Sequence, residues 1–262
     1  MVQLNKVYNE DCLGFMKKLP DNYFDLILTD PPYGIGADLN QQKACGKNGW
    51  RKYDLETNWD TDIPSRELFE EMFRVSKNQI IWGGNYFTDF LPPRMCWLIW
   101  DKGQREFSLA DGEMAWTSFQ KAMRIFTYSR AKFLNGMNEK REHPTQKPVA
   151  LGRWILEKFA EKGMKIFDPF AGSGSFLVAS KQKGYDFVGC EINKDYCDII
   201  NKRLNQRTVS DFTSAPPTLA EPKEFNKDLT ATQQVASPKC PSDTSLNPDN
   251  SEVTPKFKIF LL

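Results

Sequence analysis

Two hydrophobic periods take turns along the first two hundred residues. Short apolar runs read as strands, and polar stretches with apolar residues three and four apart read as helices. "NKVYNE" predicts a short strand, and "CLGFMKKL" a helix that Pro20 ends. "FDLILTD" is apolar on both faces, as a buried parallel strand requires. "SRELFEEMFRVS" predicts a helix capped by Ser65, with Leu68, Phe69, Met72, Phe73 and Val75 on one face. "QIIWGG" and "MCWLIWDK" predict strands, and "EMAWTSF" with "AMRIFTYS" an antiparallel pair. "PVALGRWILEKFA" predicts a helix starting near Pro148. Strand "KIFDPF", helix "GSFLVASKQKG", strand "DFVGCEI" and helix "DYCDIINKRLNQ" follow. This alternation predicts an α/β fold: a doubly wound, mostly parallel sheet with an antiparallel edge.

The pattern stops near residue 207. Residues 208–262 hold seven of the 16 prolines, many Ser and Thr, and no Trp, Tyr, Arg or Gly. Such a stretch buries too little apolar surface to offset its ordering entropy. The expected organisation is one domain over 1–207 and a flexible tail over 208–262.

Composition narrows the functional classes. A net charge of +1 favours no partner by bulk attraction. The six cysteines include no C-x-x-C pair, so neither a zinc site nor a disulfide scaffold is expected. Reduced thiols suit a cytoplasmic protein. No run approaches the roughly 18 apolar residues of a membrane span, and no signal-peptide pattern opens the chain.

Two loops carry the candidate chemistry. "DPFAGSG", Asp168 to Gly174, follows a strand and opens a helix. Its glycines let backbone approach a ligand, and the helix start offers free N–H groups. Glu191 ends the next strand, where an acid can hold ribose hydroxyls. Position 177 is Leu, so the third glycine of a dinucleotide fingerprint is absent, and no Lys-Ser/Thr pair marks a P-loop. A nucleoside with an amino-acid tail, S-adenosylmethionine (AdoMet), fits what remains. "DPPYGIG", residues 30–36, ends the early buried strand. It sets a carboxylate, a rigidly aimed Pro31 carbonyl and an aromatic face side by side. Two such acceptors can bind both N–H groups of an exocyclic amine on a base and free its delocalised lone pair. The aromatic can stack on a base taken out of its duplex.

With these residues the chain resembles the amino-group DNA methyltransferases, which make N6-methyladenine or N4-methylcytosine. "DPPY" matches the catalytic motif, "DPFAGSG" the AdoMet motif, "HPTQKP" the motif just upstream of that loop, and "NEDC" the region facing the cofactor adenine. Their order is that of the permuted beta group. The resemblance implies an AdoMet-dependent Rossmann-like fold and catalytic Asp30, Pro31, Pro32 and Tyr33. It implies an AdoMet site of Asp11, Cys12, Asp168, Phe170, Ala171, Gly172, Ser173, Gly174 and Glu191, with Thr145 and Lys147 at the methionine end. It implies no metal. The permutation requires the strands before Asp30 and Asp168 to be neighbours at the sheet's centre. Asp at position 30 points to adenine, with cytosine as the alternative and a non-catalytic DNA-binding protein on the same fold as the alternative of another class.

Double-stranded DNA is the expected partner. Lys121, Arg124, Arg130, Lys132 and Arg141, with Lys43, Lys47, Arg51 and Lys52 after the catalytic motif, are candidate phosphate contacts. The target-recognition segment, about residues 103–142, is small. That suits a short recognition site, relaxed specificity, or help from a second subunit in a homodimer.

Overall fold

The structure is a computed structural model that describes residues 2–36, 60–105, 110–129 and 146–206. The tail expected over 208–262 lies outside these residues, as do residues 106–109 and 130–142 of the expected recognition segment.

Eight strands form one sheet, in the order β1-β8-β7-β2-β3-β5-β4-β6. They are β1 (Lys6–Tyr8), β2 (Phe24–Thr29), β3 (Ser76–Trp82), β4 (Trp97–Asp101), β5 (Gly112–Thr117), β6 (Arg124–Thr127), β7 (Lys165–Asp168) and β8 (Asp186–Cys190). The helices are α1 (Cys12–Met16), α2 (Arg66–Val75), α3 (Val149–Phe159), α4 (Ser175–Gln182) and α5 (Lys194–Asn205). Successive strand residues enter opposite layers. Ile80 and Trp82 pack with α3, α4 and α5, and Ile81 packs with α1 and α2. Helices therefore cover both faces, as the apolar runs of β2 and β3 require.

Local chemistry sets the helix ends. The Ser65 hydroxyl accepts from Leu68 N and caps α2. The Asn193 side chain accepts from Asp195 N and Tyr196 N and caps α5. Pro148 stands one residue before α3, where its missing N–H costs nothing.

The expected pairing of "EMAWTSF" with "AMRIFTYS" is not what forms. β5 inserts between β3 and β4, antiparallel to both, and β6 pairs parallel to β4. Burial explains the difference. Ala115 and Trp116 of β5 are wholly buried and need neighbours on both sides, whereas β6 is largely exposed and suits an edge. Proximity in sequence suggested a hairpin that the burial pattern overrides.

The central expectation holds. β2 and β7 pair in parallel, with Leu26 opposite Ile166 and Ile27 opposite Phe167. From this pair the chain winds outward both ways, to β3 and to β8. The gap above the carboxyl ends of two such strands is where a doubly wound sheet binds ligands.

Candidate active site

A cavity of about 590 Å³ opens at that switch point, within the usual range for a small-molecule site. Asp11, Cys12, Asp30, Pro32, Lys147, Asp168, Phe170, Ala171, Gly172, Ser173 and Glu191 all line it. Residues proposed for cofactor and for catalysis thus line one cavity. Pro31, Tyr33 and Gly174 stand in the same two loops without lining the cavity. Thr145 lies outside the described residues.

The cofactor side is built mostly from backbone. Glu191 accepts from Gly172 N through one carboxylate oxygen and from Asn193 N through the other, both at 2.8 Å. Burial nonetheless pushes its carboxyl up, against the pull of those N–H groups. Each oxygen keeps a lone pair for a ligand hydroxyl. Gly172 has φ +52°, and a Cβ there would meet only the Phe170 carbonyl, at 4.0 Å. What its missing side chain leaves open is the cavity. Asp11 accepts from Gly14 N at 2.7 Å and caps α1 beneath the site. Burial, with Asp11 alongside, pushes the Cys12 thiol up to about 12, so Cys12 offers a wall and no nucleophile. A room of this size, with free acceptors on Glu191 and a loop open to backbone approach, fits a nucleoside with an amino-acid tail.

Asp168 joins the two sides. Its Oδ1 accepts from the Thr29 hydroxyl at 2.7 Å, across β2 and β7, and from Phe170 N. Burial outweighs both bonds and pushes its carboxyl up to about 7.

The catalytic-motif side is built from side chains far apart in sequence. Asp30 Oδ1 accepts from the Tyr33 hydroxyl at 2.6 Å, and Oδ2 from Lys147 Nζ at 2.5 Å. Lys147 also lies 2.8 Å from Glu113 Oε2, and Lys102 lies 2.7 Å from Glu113 Oε1. Burial pushes Asp30 up while the Lys147 ammonium pulls it back. For Lys147, burial is overcome by Asp30 and Glu113, which together push the ammonium up to about 12. Glu113 is held down to about 2 by Lys147 and Lys102, against its burial. Burial and Asp30 drive the Tyr33 phenol well above its usual value, so it serves as a donor.

Two further residues hold the loop. Asp60 Oδ1 accepts from Tyr33 N at 2.7 Å and Gly34 N at 2.9 Å. Tyr86 stacks on Tyr33 with ring centroids 4.8 Å apart. Gly83, φ +70°, makes room: a Cβ there would stand 2.0 Å from the Tyr33 ring.

The basic residues fall less neatly. Lys43, Lys47, Arg51, Lys52, Arg130, Lys132 and Arg141 lie outside the described residues. Lys121 and Arg124 are exposed and do not line the cavity. Lys121 donates to the Lys158 carbonyl and sits over the Phe119 and Phe159 rings. Among the described residues no cluster of three metal-ligating side chains occurs, and no helix is long and apolar enough to cross a membrane.

Glu113, Lys102, Asp60 and Tyr86 were not singled out from the sequence. Glu113 carried one signal, a charge inside the strand-like run "EMAWT".

Residues 81–202 match the family model described as DNA methylase. The type II methyltransferase M2.MboI of Moraxella bovis is 24% identical over 246 residues, covering 77% of this chain and 88% of that protein. The type II methyltransferase M.HinfI of Haemophilus influenzae is 25% identical over 250 residues, covering 78% and 69%. The solved M1.HpyAVI–SAM complex superposes with a TM-score of 0.51 at 22% identity, covering 77% of this chain and 99% of that one. The cytosine-N4-specific PvuII DNA methyltransferase gives a TM-score of 0.51 at 12% identity, covering 80% and 93%. Both structures share the fold.

Proposed function

We propose that this chain, which belongs to the N6/N4 DNA methylase family, transfers a methyl group from AdoMet to N6 of adenine in DNA. One observation carries this reading. The loop after β2, with Asp30 to Tyr33, and the loop after β7, with Asp168 to Gly174, leave adjacent parallel strands and open on one cavity.

Bound AdoMet supplies an electrophilic methyl group. Glu191 would take the ribose hydroxyls, Asp11 and Cys12 would wall the adenine end, and Thr145 would meet the methionine carboxylate. Lys147, whose ammonium is engaged by Asp30 and Glu113, is read instead as the counter-ion of Asp30. Asp30 and the Pro31 carbonyl accept the two N–H bonds of the target amine. This draws electron density onto the nitrogen and aims its lone pair at the methyl group. An ionised carboxylate is a stronger acceptor than a hydroxyl and can take up the proton that leaves the methylated amine. Lys147 favours that ionised form against burial. In the family Asp at this position goes mostly with adenine, and this supports the choice of base.

The substrate is read as double-stranded DNA whose target base leaves the stack, since neither loop could reach a paired base. The Tyr33 ring is the platform for that base. The basic residues from 43 to 52 and from 121 to 141 are read as phosphate contacts, with a second copy of the chain as a source of further DNA surface. A cytoplasmic setting follows from that substrate.

Nucleoside mass spectrometry of DNA incubated with the chain and labelled AdoMet tests the reading. Labelled N6-methyladenine is expected. N4-methylcytosine alone would overturn the base, and unlabelled DNA would overturn the activity.

A further inference from the structure

The charges beside Asp30 form a row drawn from four segments. Lys102 follows β4, Glu113 lies in β5, Lys147 precedes α3 and Asp30 follows β2. Successive partners are 2.7, 2.8 and 2.5 Å apart, and their signs alternate. The Lys147 side chain is only 5% exposed. Glu113 does not line the cavity, so it reaches the reacting atoms only through Lys147.

This arrangement addresses a conflict within the site. Asp30 must turn toward a substrate amine, yet Asp30 is also a counter-ion of a buried ammonium. If Asp30 were the only carboxylate near Lys147, each turnover would leave that nearly buried ammonium without a counter-ion. Breaking a buried ion pair on one side is strongly unfavourable. A second carboxylate, fixed on a central strand, removes the conflict. Lys102 supplies that carboxylate with its own partner, so it does not compete for the substrate amine.

We propose that Glu113 is a positioning residue of the methyl transfer: a standing counter-ion that keeps the Lys147 ammonium in place while Asp30 exchanges Lys147 for the amine. The proposal rests on the reading of Asp30 as the amine's acceptor. It assigns Lys147 a post between Asp30 and Glu113 that persists through the reaction.

The test uses the full chain, AdoMet and DNA. Glu113→Gln keeps the shape and removes the charge. Its kcat should fall about 10- to 100-fold, the scale of a misplaced catalytic group, while AdoMet affinity stays within about twofold. Glu113→Asp should restore most of the rate. In a Lys147→Met background, adding Glu113→Gln should cost almost nothing more, because the shared partner is gone. Wild-type kcat in Glu113→Gln, or an equal loss in the Lys147→Met background, would overturn the proposal. Thermal melting checks that each variant folds. Should Glu113→Gln fail to fold, Lys102→Met loosens the anchoring of Glu113 without touching Lys147. A lowered kcat there supports the proposal and an unchanged one overturns it. A wild-type chain that methylates nothing sinks the function itself; an active wild type with an indifferent Glu113→Gln sinks only the role of Glu113.

Discussion

The two walls of the cavity solve the same problem in opposite ways. Over β7 and β8, polar groups are matched within short stretches of chain. Glu191 binds the N–H of Asn193 two residues away and that of Gly172 in the neighbouring loop. Over β2, β3 and β5 the polar groups are matched by side chains from across the chain. Asp30 meets Lys147, 117 residues away, and Tyr33 N meets Asp60, 27 residues away. Backbone groups cannot be exchanged once folded, and they make a rigid cradle. Side-chain ion pairs can trade partners. On the proposed reading, the first wall suits a cofactor bound in the same pose at every turnover, and the second a substrate amine that must be seized and released.

The largest expected effect breaks the second wall alone. Asp30→Ala should lower kcat by more than about a thousandfold, because it removes the proposed acceptor of the target amine. AdoMet affinity measured by calorimetry should stay within about twofold, since Glu191 and its loop are untouched. A variant that transfers methyl groups at the wild-type rate would remove Asp30 from the chemistry.

Asp168 sits on the seam between the walls, and its expected effect is on stability. Its carboxyl rises from 3.8 to about 7 on folding. Below pH 4 both states are protonated and no difference arises. Between about pH 4 and 7 the unfolded chain ionises first, so stability falls as pH rises and levels off above 7. The full penalty is on the order of 4 kcal/mol. Asp168→Asn keeps an acceptor for the Thr29 hydroxyl and Phe170 N without the charge. Melting without cofactor should show the variant gaining on wild type as pH goes from 5 to 8. Parallel pH curves for the two proteins would mean that Asp168 does not titrate there.

On the first wall, Glu191→Ala should weaken AdoMet binding by about 1–3 kcal/mol, the scale of hydrogen bonds to a charged group. The loop should loosen as well, since Gly172 N and Asn193 N lose their acceptor. Glu191→Gln keeps one acceptor oxygen and should lose less. Equal calorimetric affinity in all three proteins would take Glu191 out of the ribose role.

The same contrast explains what could be read in advance. The β7 loop was legible because its function depends on local features: a strand end, small residues and an acid one strand further on. The parallel neighbours β2 and β7 followed from motif order. The partners of Asp30 were not legible. Lys147 drew attention through its motif, yet nothing in "HPTQKP" says that its ammonium would face Asp30 and Glu113. Glu113 reaches the site only because β5 threads between β3 and β4, and the sequence had suggested a hairpin with β6 instead. Misplacing β5 hid the charge row. Asp60 stands beyond a long connection with no periodic signal, so no local pattern ties it to Tyr33.

The smallest expected effect sharpens the second wall at its outer rim. Tyr86 stacks on Tyr33 at 4.8 Å with planes 16° apart, and it is 43% exposed. Lys147 Nζ stands 5.5 Å from the centre of the same Tyr33 ring. A base that stacks on Tyr33 must therefore displace a neighbour. Lys147 is buried and doubly paired, whereas Tyr86 sits on a short turn after Gly83 and has solvent to move into. The base is expected to enter between the two tyrosines, each offering one face. Tyr86→Ala should then cost about 0.5–1.5 kcal/mol of flipped-base stability, the worth of one aromatic pair beyond its area. Tyr86→Phe, which keeps the ring, should cost almost nothing. Fluorescence of 2-aminopurine at the target position reads the flipped population directly. A larger flipped population in Tyr86→Ala would show instead that Tyr86 merely plugs the site, competing with the base for Tyr33.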